Sequence, residues 1–197
     1  MRYTGHLDLF RSWERTFRRS GLPLAYSQGF HPQPRLNLAC ALPLGFTSDC
    51  ELIDAWLENV IELSQINLAI TAVLPPGLRL HRIERVDLHT PALQTQVTSS
   101  TYIITFLDLI PDLFERVHKI VKSEHLYRVR REKSYDLRPL IEEISLLPEG
   151  ERGAQKLHLR LSVRESATGR PEEVLDELGI KYENTHVHRE ALILNSQ

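Results

Sequence analysis

Only two of the 197 residues are cysteine, Cys40 and Cys50, ten positions apart in apolar surroundings. That spacing and setting suit buried thiols in a reducing compartment better than a disulfide or a metal pair. No GxxxxGK[ST] phosphate loop and no GxSxG elbow occur, so P-loop nucleotide hydrolysis and α/β-hydrolase chemistry have no support in the chain. Charges or prolines break every apolar run well short of the roughly 20 residues that a bilayer span needs. Nor does the N-terminus combine basic, apolar and small-residue regions as a signal peptide does. The expectation is a cytoplasmic protein without membrane contact. Lysine and arginine are wholly missing from Ala41 to Pro75, where Asp49, Glu51, Asp54, Glu58 and Glu62 give a local charge of −5.

That missing positive charge is found elsewhere. Residues 1–40 hold six arginines (Arg2, Arg11, Arg15, Arg18, Arg19, Arg35) against Asp8 and Glu14, so 6 − 2 gives +4. Residues 115–138 hold eight basic groups against four acidic ones, again +4, and include Arg128, Arg130, Arg131 and Arg138. Within residues 5–20, Leu7, Phe10, Trp13 or Glu14, and Phe17 recur at three- and four-residue intervals, the mark of an amphipathic helix. Its other face is arginine: Arg11, Arg15 and Arg18 follow at i, i+4 and i+7 with Arg19 beside them, and Gly21 supplies a C-terminal stop. The stretch Ser20–Gly45 then packs four prolines and three glycines around Tyr26, Phe30 and His31 without helical periodicity. Proline restricts its own φ and the residue before it, so His31-Pro32-Gln33-Pro34 should be a stiff ribbon suited to recognition.

Alternation predicts strands at 35–42 and 51–58, a helix at 64–74 ended by Pro75-Pro76-Gly77, and a strand in LRLHRIERV, residues 78–86. Helix, strand, strand, helix, strand is a ferredoxin-like βαββαβ unit without its opening strand. After a polar connector from Thr90 to Ser100 the order returns: strand (STYIITFLDL), helix (PDLFERVHKIVKSE), strand (LYRVRRE), a strand pair about a turn at Pro148-Glu149-Gly150, helix (RPEEVLDELG) and strand (HVHREALIL). The fold class expected is α+β, two ferredoxin-like halves spanning 1–90 and 91–197.

Gly5-His6-Leu7-Asp8, Arg15, Arg18-Arg19, Leu22-Pro23, Tyr26-Ser27, Gly29-Phe30, Pro32, Pro34, Ala41-Leu42-Pro43-Leu44-Gly45 and Glu51, followed by Asp136-Leu137-Arg138-Pro139-Leu140, resemble the bacterial radical-SAM-linked proteins. That family is a domain of unknown function found beside, or fused to, a radical S-adenosylmethionine enzyme. The resemblance implies such an enzyme as a partner. It departs in lacking the basic strand that usually precedes the His-Leu-Asp helix, and in placing His31 where asparagine is frequent. A radical SAM enzyme needs three cysteines, in a CxxxCxxC run, for its cluster, so this chain is not itself that enzyme.

Other constellations are thin. His6 and Asp8, two apart on a helix, do not share a face, and the HxH of His186 and His188 lacks a neighbouring carboxylate or cysteine in sequence. His31 with Tyr26 and the arginine face would suit a ferredoxin-like endoribonuclease by fold analogy alone. No catalytic residue, metal site or cofactor is therefore assigned. The function expected is a non-catalytic accessory protein that recognises structured RNA for a radical SAM enzyme. Contacts would come from His6, Arg11, Arg15, Arg18, Arg19, Tyr26, Ser27, Phe30, His31, Arg35, Arg128, Arg130, Arg131 and Arg138. The alternative is a protein–protein adaptor for that enzyme. An exposed sheet edge left by the missing strand would also allow a homodimer.

Overall fold

The computed structural model describes residues 2–148, 153–164 and 167–195. It divides into two compact units, Met1–Leu44 with Glu51–Gln96, and Gly45–Cys50 with Val97–Gln197. The first unit contains α1 (His6–Ser20), β1 (Leu36–Leu38), β3 (Ile53–Ala55), α2 (Leu63–Thr71) and α3 (Leu93–Gln96). The two-residue strand β2 (Thr47–Ser48) falls between β1 and β3 in the chain but belongs to the second unit.

In α1, Leu9, Trp13, Thr16 and Phe17 fall on one stripe and are buried. Leu9, Trp13 and Phe17 form a core with Leu24, Leu36, Leu38 and Ile70, onto which Phe10, Ile53, Leu57, Leu78 and Leu80 pack. Gly21 ends the helix at φ +70°, a left-handed position that glycine takes without a Cβ penalty. The strand pair β1–β3 is antiparallel and short. An irregular ribbon extends it: Ala25 donates to the Trp56 carbonyl (2.7 Å), Trp56 to Arg35 (3.1 Å) and Arg35 to Ala25 (2.8 Å).

The second unit contains β4 (Val97–Phe106), α4 (Leu113–Lys122), β5 (Tyr127–Arg130), β6 (Lys133–Asp136), β7 (Ile141–Leu147), β8 (Lys156–Arg164), β9 (Ala167–Thr168), α5 (Pro171–Glu177) and β10 (Thr185–Leu194). Its main sheet runs β2-β10-β4-β8-β7. Taking β4, β7, β8 and β10 as first to fourth, the spatial order is fourth, first, third, second, all antiparallel, with α4 and α5 in the two crossovers. That is the ferredoxin-like arrangement. One sheet face is apolar through period-2 alternation: Ile104 lies opposite Leu157 and Val187, and Tyr102 opposite Leu159 and Arg189. Leu157, Leu159, Leu161, Val174 and Leu175 are fully buried.

The α+β class and the second ferredoxin-like half agree with the sequence; the first half does not. Residues 78–86 form no strand, because after Leu78 and Leu80 the apolar positions slip to Ile83 and Val86, out of period 2, and Val86 is exposed. The expected strands at 35–42 and 51–58 shorten to three residues each. Within the connector, β4 already begins at Val97. Cys40 and Cys50 are half-buried rather than buried. The turn expected at Pro148-Glu149-Gly150 lies, but for Pro148, outside the described residues. Among the described residues no helix is long and apolar enough to cross a membrane.

Candidate nucleic-acid interface

Burial of Leu9, Trp13 and Phe17 forces the opposite face of α1 outward, and Arg11, Arg15, Arg18 and Arg19 are all exposed there. Arg11 approaches Asp8 at 3.8 Å and Arg18 pairs with Glu14 at 2.7 Å, one turn back in each case. Exposed pairs of this kind are worth about 0.3–0.5 kcal/mol, so either arginine can exchange its carboxylate for a ligand at little cost. Arg19 donates to the carbonyl of Val73, just past the end of α2. Arg15 has no partner among the described residues. Arg15, Arg18 and Arg19, with Ser12 and Pro75, line an open recess of about 290 Å³. Three arginine side chains lining one recess suit an anion, since the planar guanidinium fork matches phosphate or carboxylate oxygens in pairs. The first unit has a larger depression, lined by Leu63, Ser64, Asn67, Leu68 and Ile83, but no charged side chain lines it.

His6, at the start of α1, is half-buried and turns Nδ1 inward, without a hydrogen-bond partner among the described residues. Ser27 closes a loop neck rather than facing a ligand. Its N–H donates to the Gln33 carbonyl (2.8 Å), and its Oγ accepts from the Gln33 N–H (2.9 Å), while Tyr26 and Pro34 form a bridge behind them. Residues 28–32 are thus a short loop on a fixed neck. Gly29 at φ +139° makes the bend, and Phe30 at the tip is 100% exposed. His31 is exposed beside it, and Tyr26 is 40% exposed at the base. Arg35 lays its guanidinium on the Trp56 ring at 4.9 Å, which holds it flat at the surface.

Three of the four arginines expected in the second unit have other work. Arg128 bonds Asp176 (3.0 Å) and Glu177 (3.1 Å) of the segment around α5. Arg130 grips Glu173 through Nε (2.8 Å) and Nη2, donates to the Thr168 carbonyl and covers the Tyr135 ring at 4.8 Å. Burial alone would lower the Arg130 pKa, but Glu173 and Tyr135 hold it above its ordinary value; burial and then Glu173 push the Tyr135 phenol up. Arg138 donates to the carbonyls of Ser123, Ile141 and Val121. Only Arg131 stays exposed without a partner among the described residues.

Two features had no signal in the sequence reading. His125 Nδ1 bonds Asp136 Oδ2 at 2.7 Å, and its ring stacks on Tyr127 at 5.3 Å. Thr47 Oγ1 lies 2.9 Å from His188 Nδ1, with Asp49 3.7 Å from the other ring nitrogen, so His188 fastens β2 to β10. Each contact joins residues remote in the chain or across an unforeseen hairpin. Among the described residues no three His, Cys, Asp or Glu side chains gather to hold a metal.

No curated protein matches the chain. A bacterial family does match over residues 1–171, an interval that takes in the arginine helix, the loop at 27–33 and the β5–β6 hairpin. The chain belongs to that family, described as an uncharacterized protein conserved in bacteria (DUF2344).

Proposed function

We propose that this protein is a non-catalytic accessory factor that binds structured RNA through the arginine face of α1, and that it presents that RNA to a radical SAM enzyme. The RNA part rests on one observation: Arg15, Arg18 and Arg19 line one open recess, and Arg15 has no carboxylate partner among the described residues. The ring of Phe30 and the Arg35–Trp56 stack add the flat surfaces that unpaired bases require. The enzyme partner is supported by the resemblance to radical-SAM-linked proteins.

Binding of fluorescently labelled bacterial structured RNA across a salt series tests this, with an Arg11/Arg15/Arg18/Arg19→Ala variant alongside. Each phosphate contact contributes about 0.7–0.9 to the slope of log affinity against log salt, so four lost contacts flatten it by roughly 3. Equal slopes for the two proteins would end the RNA reading.

A second reading, a protein adaptor, is favoured by Phe30 alone. A fully exposed aromatic on a closed loop neck is an anchor for a partner's pocket as well as for a base. Under it, Phe30→Ser abolishes co-purification with the radical SAM enzyme while the arginine variant retains it.

A further inference from the structure

Arg128 and Arg130 fix the β5–β6 hairpin by one face. Strand alternation then sends Tyr127 and Val129 to the other, where they are 72% and 74% exposed. The Tyr127 ring is not loose. It stacks on His125 at 5.3 Å with 18° between the planes, and Asp136 clamps that imidazole. Asp136 is in turn fixed by the N–H groups of Leu126 (2.8 Å) and Arg138 (3.0 Å). Burial asks none of this from an exposed ring.

The hairpin turn is the second observation. Arg131 and Glu132 have φ of +49° and +65°, left-handed positions that Asn-Gly would take with less strain. Non-glycine residues there are disfavoured, and the turn geometry itself gives no reason for arginine at the apex. Arg131 is exposed at that tip, without a carboxylate partner among the described residues, a few strand residues from Tyr127, whereas Lys133 pairs with Arg130 and so lies on the opposite face.

We propose that this face is a stacking platform for an unpaired nucleobase, which lies on Tyr127 as a third ring while Arg131 at the turn meets a flanking phosphate. The proposal rests on the RNA reading above and names what part of the RNA is read: a base free of pairing, since bases within a duplex have both faces covered. Pre-stacked rings cost little ordering on binding, which favours a flat ligand over a side chain that needs a pocket. The arginine at the tip favours a nucleic acid over an apolar protein segment.

The test is fluorescence anisotropy with the full chain and a labelled single-stranded RNA of about 12 nucleotides, against a blunt duplex of the same sequence. Tyr127→Ala should weaken single-strand binding about 5- to 100-fold. Duplex binding should hardly change, Tyr127→Phe should bind like the parent, and Val129→Ser should stay within about twofold, with urea midpoints confirming that the exposed substitutions leave folding intact. If Tyr127→Ala binds like the parent while the α1 arginine variant loses binding, the platform is refuted and the arginine interface stands. Equal losses for Val129→Ser and Tyr127→Ala would show that the apolar face as a whole, and not stacking on the ring, sets the affinity, and would overturn the proposal. Parent protein that binds neither RNA overturns both.

Discussion

Replacing Arg130 by methionine separates a structural fastening from a ligand contact. The Arg130 side chain is 27% exposed and that of Glu173 is 15% exposed, so the pair is mostly withdrawn from water. Removing one partner of a fully buried pair costs about 3–5 kcal/mol, because the survivor is left uncompensated. Water reaches both groups here, which lowers the expectation for this contact to roughly 2 kcal/mol. Loss of the guanidinium over Tyr135 adds about 0.5–1 kcal/mol. At the usual response of about 2–4 °C per kcal/mol for chains of this size, Arg130→Met should melt roughly 5–12 °C below the parent. Thermal unfolding followed by circular dichroism reads this, and a cycle with Glu173→Gln isolates the pair. The double variant should be less destabilised than the sum of the single ones by at least about 1 kcal/mol. A variant that melts with the parent but loses RNA affinity would make Arg130 a ligand residue and refute the account of the hairpin.

Two carboxylates make opposite predictions for pH. Backbone donation from Leu126, then His125, holds Asp136 below the ordinary carboxylate range. Its stabilising share is therefore present above about pH 4 and lost as pH falls through its lowered pKa. Asp136→Asn should lower the urea midpoint at pH 7 and narrow the gap to the parent in acid. Burial, above all, raises Glu172, whose Oε2 has no partner among the described residues. Its ionised form is a burden at neutral pH, so Glu172→Gln should raise the midpoint at pH 7, with the gain vanishing below about pH 4 where both states are protonated. Gly45 sits at φ +91° with the Tyr182 hydroxyl where a Cβ would go, and Tyr182 stacks on the buried Phe46 at 5.7 Å. Gly45→Ala should cost about 1–3 kcal/mol through backbone strain and the displaced ring, and a midpoint equal to the parent's would contradict that packing.

The parts of the fold legible in sequence are those whose causes are local. The helix α1 follows from the recurrence of Leu7, Phe10, Trp13 and Phe17 and the stop at Gly21, although its buried stripe turns on Leu9, with Leu7 exposed and Phe10 half-buried, and the long strands β4, β8 and β10 follow from β-branched and alternating residues. The loop at 27–33 was visible in its prolines and glycines, but its neck, made by Ser27 and Gln33, depends on hydrogen bonds that composition does not encode. The β5–β6 hairpin was hidden because Arg-Glu is an unusual pair for a turn with two positive φ angles, so LYRVRRE looked like one continuous strand.

Charge divides along the same line. A positive side chain advertises its sign in the sequence but not its partner. On α1 every carboxylate that contacts an arginine is three or four residues away, so the helical wheel already shows that Arg15 is left over. The carboxylate partners of Arg128 and Arg130 lie 43 to 49 residues onward, in α5, and no wheel or alternation can bring them into view. Two segments of equal net charge thus have different fates. In the first, Arg15, Arg18 and Arg19 stay exposed around an open recess; in the second, four of the eight, Arg116, Arg128, Arg130 and Arg138, bond protein groups, and the reverse face of the hairpin reaches the surface. A basic segment is evidence for an anionic ligand only after its arginines have been matched against the carboxylates that folding supplies. Of the arginines in these two segments, that matching leaves Arg15 in one unit and Arg131 in the other without a partner among the described residues, so the proposed RNA binding is expected to depend on them most steeply.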